Sequence, residues 1–274
     1  MRKKTARPLG KSGRGAIYLV LVVLVIVVMV ARFLRRDYYA VFLCALTLLL
    51  FNIPRFFGRR FNIELPNVLE SIILLFIFAA EILGEIGSFY TYVPWWDSML
   101  HTINGFLMAA IGFALIDVLN RSPMFHFSLS PIFVAFVAFC FSMTVGVVWE
   151  FFEFAMDSLT STDMQKDYLV QSLSSVALNP AGINDPVRLG GITSTVVNYT
   201  EGGQAAQLVI DGGYLDIGVY DTMKDLIVNC IGAVAFSVIG YLYIIGRNHG
   251  IFARKFIPQL KAAPTEEKAP PKRR

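Results

Sequence analysis

The segment Pro94–Asn104, PWWDSMLHTIN, opens an apolar run that is long enough to cross a membrane. Asp97 and His101 stand four residues apart in it, so both side chains lie on one face of a helix, about 6 Å apart along its axis. Ionisable side chains inside such a run are costly, and they commonly mark a functional site. The segment therefore predicts a membrane-spanning helix with a polar site near one end.

The composition of the whole chain indicates a membrane protein. Its 274 residues are 55% hydrophobic and only 16% charged, whereas about a quarter of the residues in soluble domains are charged. The formal net charge of +4 comes mostly from the two chain ends and one loop, which is a signal of membrane topology. We therefore expect membrane lipids as partners and no nucleic acid. The three cysteines fall in hydrophobic runs without the spacing of a zinc motif, which favours a packing role.

Six apolar runs predict an all-α polytopic membrane protein. They cover about residues 16–33, 38–53, 65–86, 94–118, 131–159 and 221–245. Residues 16–159 would thus hold the first five transmembrane helices, and residues 221–246 the sixth. Residues 1–15 read as a basic cytoplasmic leader, and residues 247–274 as a basic tail of disordered composition. We interpret the first run as a retained span, because it lacks a small-x-small cleavage site.

The distribution of Lys and Arg predicts that both termini are cytoplasmic. In that arrangement residues 87–93 and 160–220 face outward, and the only basic residues in them are Lys166 and Arg188. Arg32, Arg35 and Arg36 disagree, since they fall in an outward-facing turn. The majority of the basic residues predicts a multi-pass protein of the plasma (inner) membrane.

Residues 160–220 are too many for an ordinary turn and predict an outer loop with structure of its own. Residues 191–200 and 204–211 are rich in β-branched side chains and flank Glu201-Gly202-Gly203. This pattern predicts a β-hairpin with a turn of three to five residues. The loop is the candidate contact for an extracytoplasmic partner.

Acidic stripes on two further spans are expected at the depth of Asp97 and His101. The fifth span carries acids at spacings of i, i+3 and i+7, and the sixth repeats the four-residue spacing. These residues are Glu150, Glu153 and Asp157 on the fifth span, and Asp221 and Asp225, followed by Asn229, on the sixth. Because spans four and six run inward and span five runs outward, all three stripes should reach the outer leaflet.

Carboxylates with one imidazole have the chemistry of a divalent metal site. Oxygen and nitrogen ligands of this kind suit Mg, Mn, Zn or Fe, and a cation would allow neighbouring carboxylates to ionise together. The candidate metal ligands are Asp97, His101, Glu150, Asp221 and Asp225. The candidate catalytic residues are Glu150 and Glu153, either of which could act as the base for a metal-activated water. The candidate substrate-binding residues are Trp96, Asn104 and Asn229.

The leading hypothesis is a metal-dependent site that acts on, or binds, a lipid or lipid-linked substrate at the outer leaflet. Two other functions stay open, namely a transporter or permease component for cations or protons, and a non-catalytic scaffold with a structural metal. Single residues also have structural explanations. Asp221 stands where an acid could cap a helix, and Glu153 and Asp157 could be solvated beyond the membrane core. The tryptophans could be interface anchors, and five glycines could permit close helix packing, namely Gly105, Gly112, Gly146, Gly232 and Gly240.

Three segments together resemble the YjdF-like family of prokaryotic inner-membrane proteins, a domain of unknown function. They are residues 96–105 (WDSMLHTING), 146–154 (GVVWEFFEF) and 221–233 (DTMKDLIVNCIGA). The third segment is also similar, more loosely, to VanZ-like membrane proteins. The resemblance covers about residues 70–245 and implies an inner-membrane protein with these polar residues at its site, without implying a reaction. The hairpin-bearing insertion at about 167–218 departs from the family pattern.

Overall fold

The computed structural model describes residues 11–60, 63–120, 129–246, 256–257 and 259–260. Residues 1–10 of the predicted leader, and residues 247–255, 258 and 261–274 of the predicted tail, lie outside the described residues. The α-helices are α1 (Lys11–Leu34), α2 (Tyr38–Leu50), α3 (Ile53–Arg60), α4 (Asn67–Phe78), α5 (Phe89–Tyr92), α6 (Trp96–Asn120), α7 (Pro131–Thr160) and α8 (Val219–Ile245). A π-helical segment, Ala79–Ile86, continues α4, and a short 3-10 turn spans Val176–Leu178. The strands are β1 (Ile63–Glu64), β2 (Leu169–Val170), β3 (Ser172–Ser175), β4 (Val187–Gly190), β5 (Ser194–Glu201), β6 (Gln204–Asp211), β7 (Tyr214–Leu215) and β8 (Gln259–Leu260).

The predicted all-α, polytopic membrane architecture with a β-hairpin is confirmed. Five helical stretches among the described residues are long and apolar enough to cross a membrane. They are Gly15–Leu34, Tyr38–Arg60, Trp96–Asp117, Pro131–Thr160 and Val219–Ile245. The remaining predicted span, at residues 65–86, consists of 12 α-helical residues followed by eight π-helical ones, so its winding changes part of the way along.

The chain divides into two compact units. The first, which we call the helical unit, comprises residues 1–146 and 228–274, and the second comprises residues 147–227. Helices α7 and α8 each run without a break through a unit boundary. The candidate residues are therefore divided between the units, with Trp96, Asp97, His101, Asn104 and Asn229 in the helical unit.

The core of the helical unit is apolar and aromatic. Phe113 and Phe236 are fully buried, with ring centroids 6.0 Å apart, and Phe106 packs edge-on against Phe236 at 5.2 Å. Gly240 leaves room for the Phe113 ring, because a Cβ there would lie 2.7 Å from it. These contacts join α6 to the second half of α8.

Two glycines bring the backbones of α6 and α8 into contact. A Cβ on Gly105 would overlap the carbonyl oxygen of Asn229, and a Cβ on Gly232 would overlap that of Thr102. The prediction that these glycines permit close helix packing is confirmed. Small residues serve this purpose in membranes, where helices associate through close packing rather than a hydrophobic driving force.

Arg32 has a structural role that the Lys and Arg count did not reveal. Its guanidinium lies 3.2 Å from a carboxylate oxygen of Asp37 and donates a hydrogen bond of 3.0 Å to the carbonyl oxygen of Ile86. Asp37 also accepts a hydrogen bond from the backbone N–H of Ala40 and so caps α2. Arg32 thus joins the ends of α1, α2 and the π-helical segment.

The second unit carries the predicted hairpin, formed by β5 and β6. Glu201 pairs with Gln204, so the turn contains only Gly202 and Gly203, and the predicted three-to-five-residue turn is wrong. Both glycines have positive φ, 56° and 80°, as a tight type I′ turn requires. The error arose because Glu201 belongs to the strand. The other pairs are β2 with β7 and β3 with β4 in this unit, and β1 with β8 in the helical unit.

We predict that Gly105→Ala lowers the Tm of the purified protein. The added methyl group must push α6 away from α8, and overpacking of this kind costs about 1–3 kcal/mol. The matched control is Gly15→Ala, because no atom of the described residues lies within 4 Å of a Cβ at that helical glycine. Thermal unfolding in detergent should show the difference, and equal Tm values for the two variants would contradict the assigned contact.

Candidate functional site

Asn229 forms the polar centre of the helical unit. It is completely buried, and its carboxamide oxygen accepts a hydrogen bond from the Asn104 side chain at 3.2 Å. Its nitrogen lies 3.7 Å from the Met143 sulfur, and Ser142 donates a hydrogen bond of 2.7 Å to the carbonyl oxygen of Gly105. We call these five residues the asparagine junction. They hold α6, α7 and α8 together through polar contacts inside an apolar unit.

Gly146 on α7 makes space for this arrangement. A Cβ at residue 146 would lie 2.7 Å from the carboxamide nitrogen of Asn229. Asn104 and Asn229, which sequence reasoning proposed as substrate-binding residues, are thus hydrogen-bonded to each other. Their first role is to set how the three helices pack, and substrate binding by them stays a prediction.

Asp97 and His101 lie side by side on α6, as their spacing predicts. The Asp97 carboxylate oxygen is 3.5 Å from Nε2 of His101, and the imidazole is buried. Trp96 is also buried, with its ring 4.8 Å from that of Phe89 in an edge-on contact. Interface anchoring therefore does not explain Trp96, whereas the neighbouring Trp95 is exposed as an anchor should be.

The acids of the second unit are deeply buried. The exposed fractions of Glu150, Glu153, Asp221 and Asp225 are 4%, 8%, 3% and 1%. Glu153 accepts a hydrogen bond of 3.0 Å from the indole N–H of Trp149. The interpretation of Glu153 as a solvated side chain is therefore wrong, because its carboxylate turns back along α7 toward the tryptophan one turn earlier.

Lys224 stands between the two aspartates of α8. Its ammonium lies 2.9 Å from Asp221 and 4.0 Å from Asp225, and it donates a hydrogen bond of 2.9 Å to the Tyr168 hydroxyl. The second oxygen of Asp221 accepts a hydrogen bond from the backbone N–H of Lys166. Asp221 thus binds the preceding loop and a lysine.

The capping role that was considered for Asp221 belongs to Asp216 instead. One oxygen of Asp216 accepts a hydrogen bond of 2.7 Å from the backbone N–H of Tyr220, in the first turn of α8. The other accepts from the backbone N–H groups of Tyr168, at 2.7 Å, and Gly218, at 3.4 Å. An acid at the start of a helix satisfies N–H groups that have no partner within the helix.

Asp157 organises the loop that follows α7. Its carboxylate accepts hydrogen bonds from the backbone N–H groups of Met164 and Gln165, at 2.7 and 2.8 Å, and from the Thr162 hydroxyl at 2.9 Å. The interpretation of Asp157 as merely solvated is therefore wrong. Gln165 in turn donates a hydrogen bond of 2.6 Å to the Thr222 hydroxyl on α8. The loop thus ties the end of α7 to the start of α8.

The same loop concentrates negative charge. Burial raises the pKa of the Asp167 carboxyl, and the nearby carboxylates of Asp163, Asp216 and Asp157 raise it further, against an opposing effect of Lys166. Proton uptake by Asp167 is thus easier than in a solvated peptide. This direction of shift is the one expected where acids outnumber bases.

Sequence reasoning did not select Lys224, Tyr168 or Asp216. Two signals could have found two of them. Lys224 follows Asp221 by three residues on a helix, a spacing at which opposite charges meet, and Asp216 precedes α8 where helix caps are expected. The hydrogen bond between Tyr168 and Lys224 joins residues 56 positions apart, and no local sequence pattern predicts it.

We predict that Lys224→Met destabilises the protein more than Lys166→Met does. Removing the Lys224 ammonium leaves two buried carboxylates without this cation. Because Lys224 is itself one-third exposed, solvent screens the interaction, and we expect a loss of stability of about 1–3 kcal/mol. Lys166 forms its ion pair with the exposed Asp163, so its loss should cost less than about 0.5 kcal/mol. Thermal unfolding of both variants measures the difference, and similar Tm values would contradict a neutralising role for Lys224.

One protein family matches most of the chain. The family, described as "Predicted membrane protein (DUF2238)", matches residues 16–246, which include all three helices that carry the candidate residues. No curated protein and no solved structure matches the chain.

Proposed function

Since the chain belongs to the DUF2238 family of predicted membrane proteins, we propose that it binds a divalent cation and acts on a lipid or lipid-linked substrate. The observation that carries the proposal is the burial of Glu150, Glu153, Asp221 and Asp225 on membrane-spanning helices. Carboxylates in such positions are expensive unless a cation compensates them, and they usually have a function.

Charge in the second unit favours a cation. Its helical segments, residues 147–160 and 219–227, contain five carboxylates and one lysine. Lys224 can neutralise the charge of one carboxylate, and Asp157 accepts hydrogen bonds from the loop N–H groups. Glu150, Glu153 and one aspartate of α8 then supply the negative charge that a divalent ion balances. Carboxylate oxygens are the ligands that Mg²⁺ and Mn²⁺ prefer.

Asp97 and His101 complete the proposed ligand set. Their spacing on α6 presents a carboxylate and an imidazole to the same side of one helix. A set with one imidazole also suits Zn²⁺ or Fe²⁺. We include them on the chemistry of the pair and on the burial of His101.

Glu150 and Glu153 are the proposed catalytic bases. A bound divalent ion would lower the pKa of a water molecule, and a neighbouring carboxylate would accept its proton. The hydrogen bond from Trp149 orients the Glu153 carboxylate for such a role. Substrate binding by Trp96, Asn104 and Asn229 belongs to the same proposal.

A lipid substrate is favoured by the surroundings of the acids on α7. The aromatic side chains of Phe151, Phe152 and Phe154 are exposed, although they alternate with the buried Glu150 and Glu153. On a membrane helix such an exposed apolar face contacts lipid. A lipid or lipid-linked molecule can therefore reach this part of α7 from within the bilayer.

The close contact between α6 and α8 argues against a transport path between these two helices. At Gly105 and Gly232 the backbones of α6 and α8 are in direct contact, so a path between these helices would require them to separate. The scaffold alternative, with a structural metal and a partner at residues 160–220, predicts metal binding without any activity.

The proposal includes the membrane orientation and the closer family resemblance. We propose that the site faces the outer leaflet of the plasma membrane and that both termini are cytoplasmic. Arg32 is one of the three arginines that disagree with this orientation. Its ion pair with Asp37 weakens the disagreement, because the charge of this arginine is neutralised locally. The same motifs support a YjdF-like identity, and the looser similarity to VanZ-like proteins adds no support.

We predict near-stoichiometric metal in the detergent-purified protein after reconstitution with Mg²⁺, Mn²⁺ or Zn²⁺, measured by elemental analysis. Asp225→Asn, Glu150→Gln and the double variant Asp97→Ala/His101→Ala should each weaken metal affinity about tenfold or more, equivalent to ~1.4 kcal/mol. Asp163→Asn is the matched control, since this acid is exposed and lies in the same unit as Glu150. We expect it to retain the metal.

The pattern of losses distinguishes the versions of the proposal. Loss of bound metal in Asp225→Asn but not in the Asp97→Ala/His101→Ala variant would show that the metal ligands lie on α7 and α8 alone. Equal metal content in all folded variants would overturn the metal site, and liposome flux assays would then test proton or cation transport. A bound metal without turnover of any lipid substrate would favour the alternative function, a non-catalytic scaffold with a structural metal.

A further inference from the structure

The turn between α1 and α2 carries two arginines that the contacts described so far do not involve. Arg35 and Arg36 lie between two membrane-spanning stretches, Gly15–Leu34 and Tyr38–Arg60. Both side chains are exposed, and among the described residues neither forms an ion pair. Neither arginine belongs to the proposed metal site. The turn is therefore a separate cationic feature of the helical unit.

The acids at this end of the helical unit do not pair with the two arginines. Asp37 forms its ion pair with Arg32, whose guanidinium also reaches the carbonyl oxygen of Ile86. The π-helical segment that ends at Ile86 contains Glu81 and Glu85. Within the part of the chain that the structure describes, the two arginines form an ion pair with none of these acids. No carboxylate of the described residues thus competes with a ligand for their guanidinium groups.

Arg36 occupies a backbone conformation that is usually adopted by glycine. Its φ is 61°, which lies in the left-handed region. The backbone N–H of Asp37 donates to the carbonyl oxygen of Arg32, and that of Arg36 donates to Phe33, both at 3.0 Å. These two hydrogen bonds form the Schellman motif at the end of a helix, in which glycine is the commonest residue at this position. An arginine there is strained, and a strained residue of this kind points to a function for its side chain.

Exposed apolar and aromatic side chains flank the turn. Phe33 and Leu34 precede the two arginines, Tyr38 and Tyr39 follow them, and each of these four side chains is more than half exposed. The rings of Phe33 and Tyr38 meet edge-on, with their centroids 6.3 Å apart. Aromatic side chains at the ends of membrane helices lie at the level of the lipid head groups. The two guanidinium groups are thus at the depth of lipid phosphates, beside apolar side chains that can contact acyl chains.

The distribution of basic residues over the chain gives the same indication. In the proposed membrane orientation this turn faces outward, where Lys and Arg are disfavoured. The ion pair with Asp37 accounts for Arg32, but it does not account for the two arginines that follow. A ligand that carries negative charge would account for both of them.

We propose that Arg35 and Arg36 bind the phosphate group of an anionic phospholipid. Guanidinium groups match phosphate oxygens with paired hydrogen bonds, and these charge-assisted bonds are stronger than bonds between neutral groups. An anionic phospholipid is favoured over a zwitterionic one, because a choline group would bring a positive charge close to the two arginines. This binding does not depend on the proposed metal site.

Native mass spectrometry of the full-length protein released from detergent tests the proposal. The protein is offered equal amounts of phosphatidylglycerol and phosphatidylcholine with the same acyl chains, and the ratio of the two bound lipids is measured within one spectrum. We expect the wild type to retain more phosphatidylglycerol than phosphatidylcholine. Arg36→Gly should lower this ratio about fivefold, since one interfacial arginine contributes of this order to the binding of anionic lipid.

Arg36→Gly is a suitable variant because it should not destabilise the protein. Glycine adopts the left-handed conformation without strain, so the Tm of this variant should equal or exceed that of the wild type. The matched control is Ser88→Gly, which also replaces a residue of positive φ, 59°, in the helical unit but removes no charge. We expect this control to leave the lipid ratio unchanged.

Three results would overturn the proposal. They are equal retention of the two lipids by the wild type, an unchanged lipid ratio in Arg36→Gly, and an equal fall of the ratio in the Ser88→Gly control. Elemental analysis separates this proposal from the proposed function, because Arg36→Gly should contain as much metal as the wild type whatever its lipid ratio.

Discussion

The completely buried carboxamide of Asn229 is the constraint on which the arrangement of the three helices in the helical unit depends. An amide placed between apolar helices without a partner would cost several kcal/mol, because neither lipid nor hydrocarbon side chains can hydrogen-bond to it. Asn104 supplies the partner, and Gly105 and Gly146 supply the space. These contacts require α6, α7 and α8 to meet at one level. The register of these helices within the helical unit follows from them.

The acids of the second unit have two different uses. Asp157 and Asp216 accept hydrogen bonds from backbone N–H groups and so shape the loop and the start of α8. Glu150, Glu153 and Asp225 lie on the membrane helices, where burial without compensation is costly. Asp221 belongs to both groups, since it binds a loop N–H with one oxygen and Lys224 with the other. The proposed cation site rests on Glu150, Glu153, Asp221 and Asp225, whereas Asp157 and Asp216 hold the adjoining loop through its backbone N–H groups.

Much of the fold could be predicted because its signals are local. Apolar runs marked the membrane helices, and the residues around Gly202 marked the hairpin, although the turn is shorter than predicted. The sequence analysis found no comparable signal for the π-helical winding at Ala79–Ile86. The helical stripes of the site were predicted from spacing, and the neighbouring positions of Asp97 and His101 agree with it. Capping was considered for Asp221 and is performed by Asp216, because a cap depends on where the helix begins, and α8 begins two residues before the predicted start.

The sequence by itself determined that this is a helical membrane protein, which helix faces carry acids, and that a hairpin lies within residues 191–211. Each of these follows from periodicity within one segment, because side chains three or four residues apart on a helix, or two apart on a strand, share a face whatever surrounds them. Only the tertiary structure decided that Asn104 bonds to Asn229, that Arg32 reaches the carbonyl of Ile86, and that Tyr168 meets Lys224. These partners are between 54 and 125 residues apart in the chain. Their meeting depends on close packing between helices and loops, which no local pattern encodes.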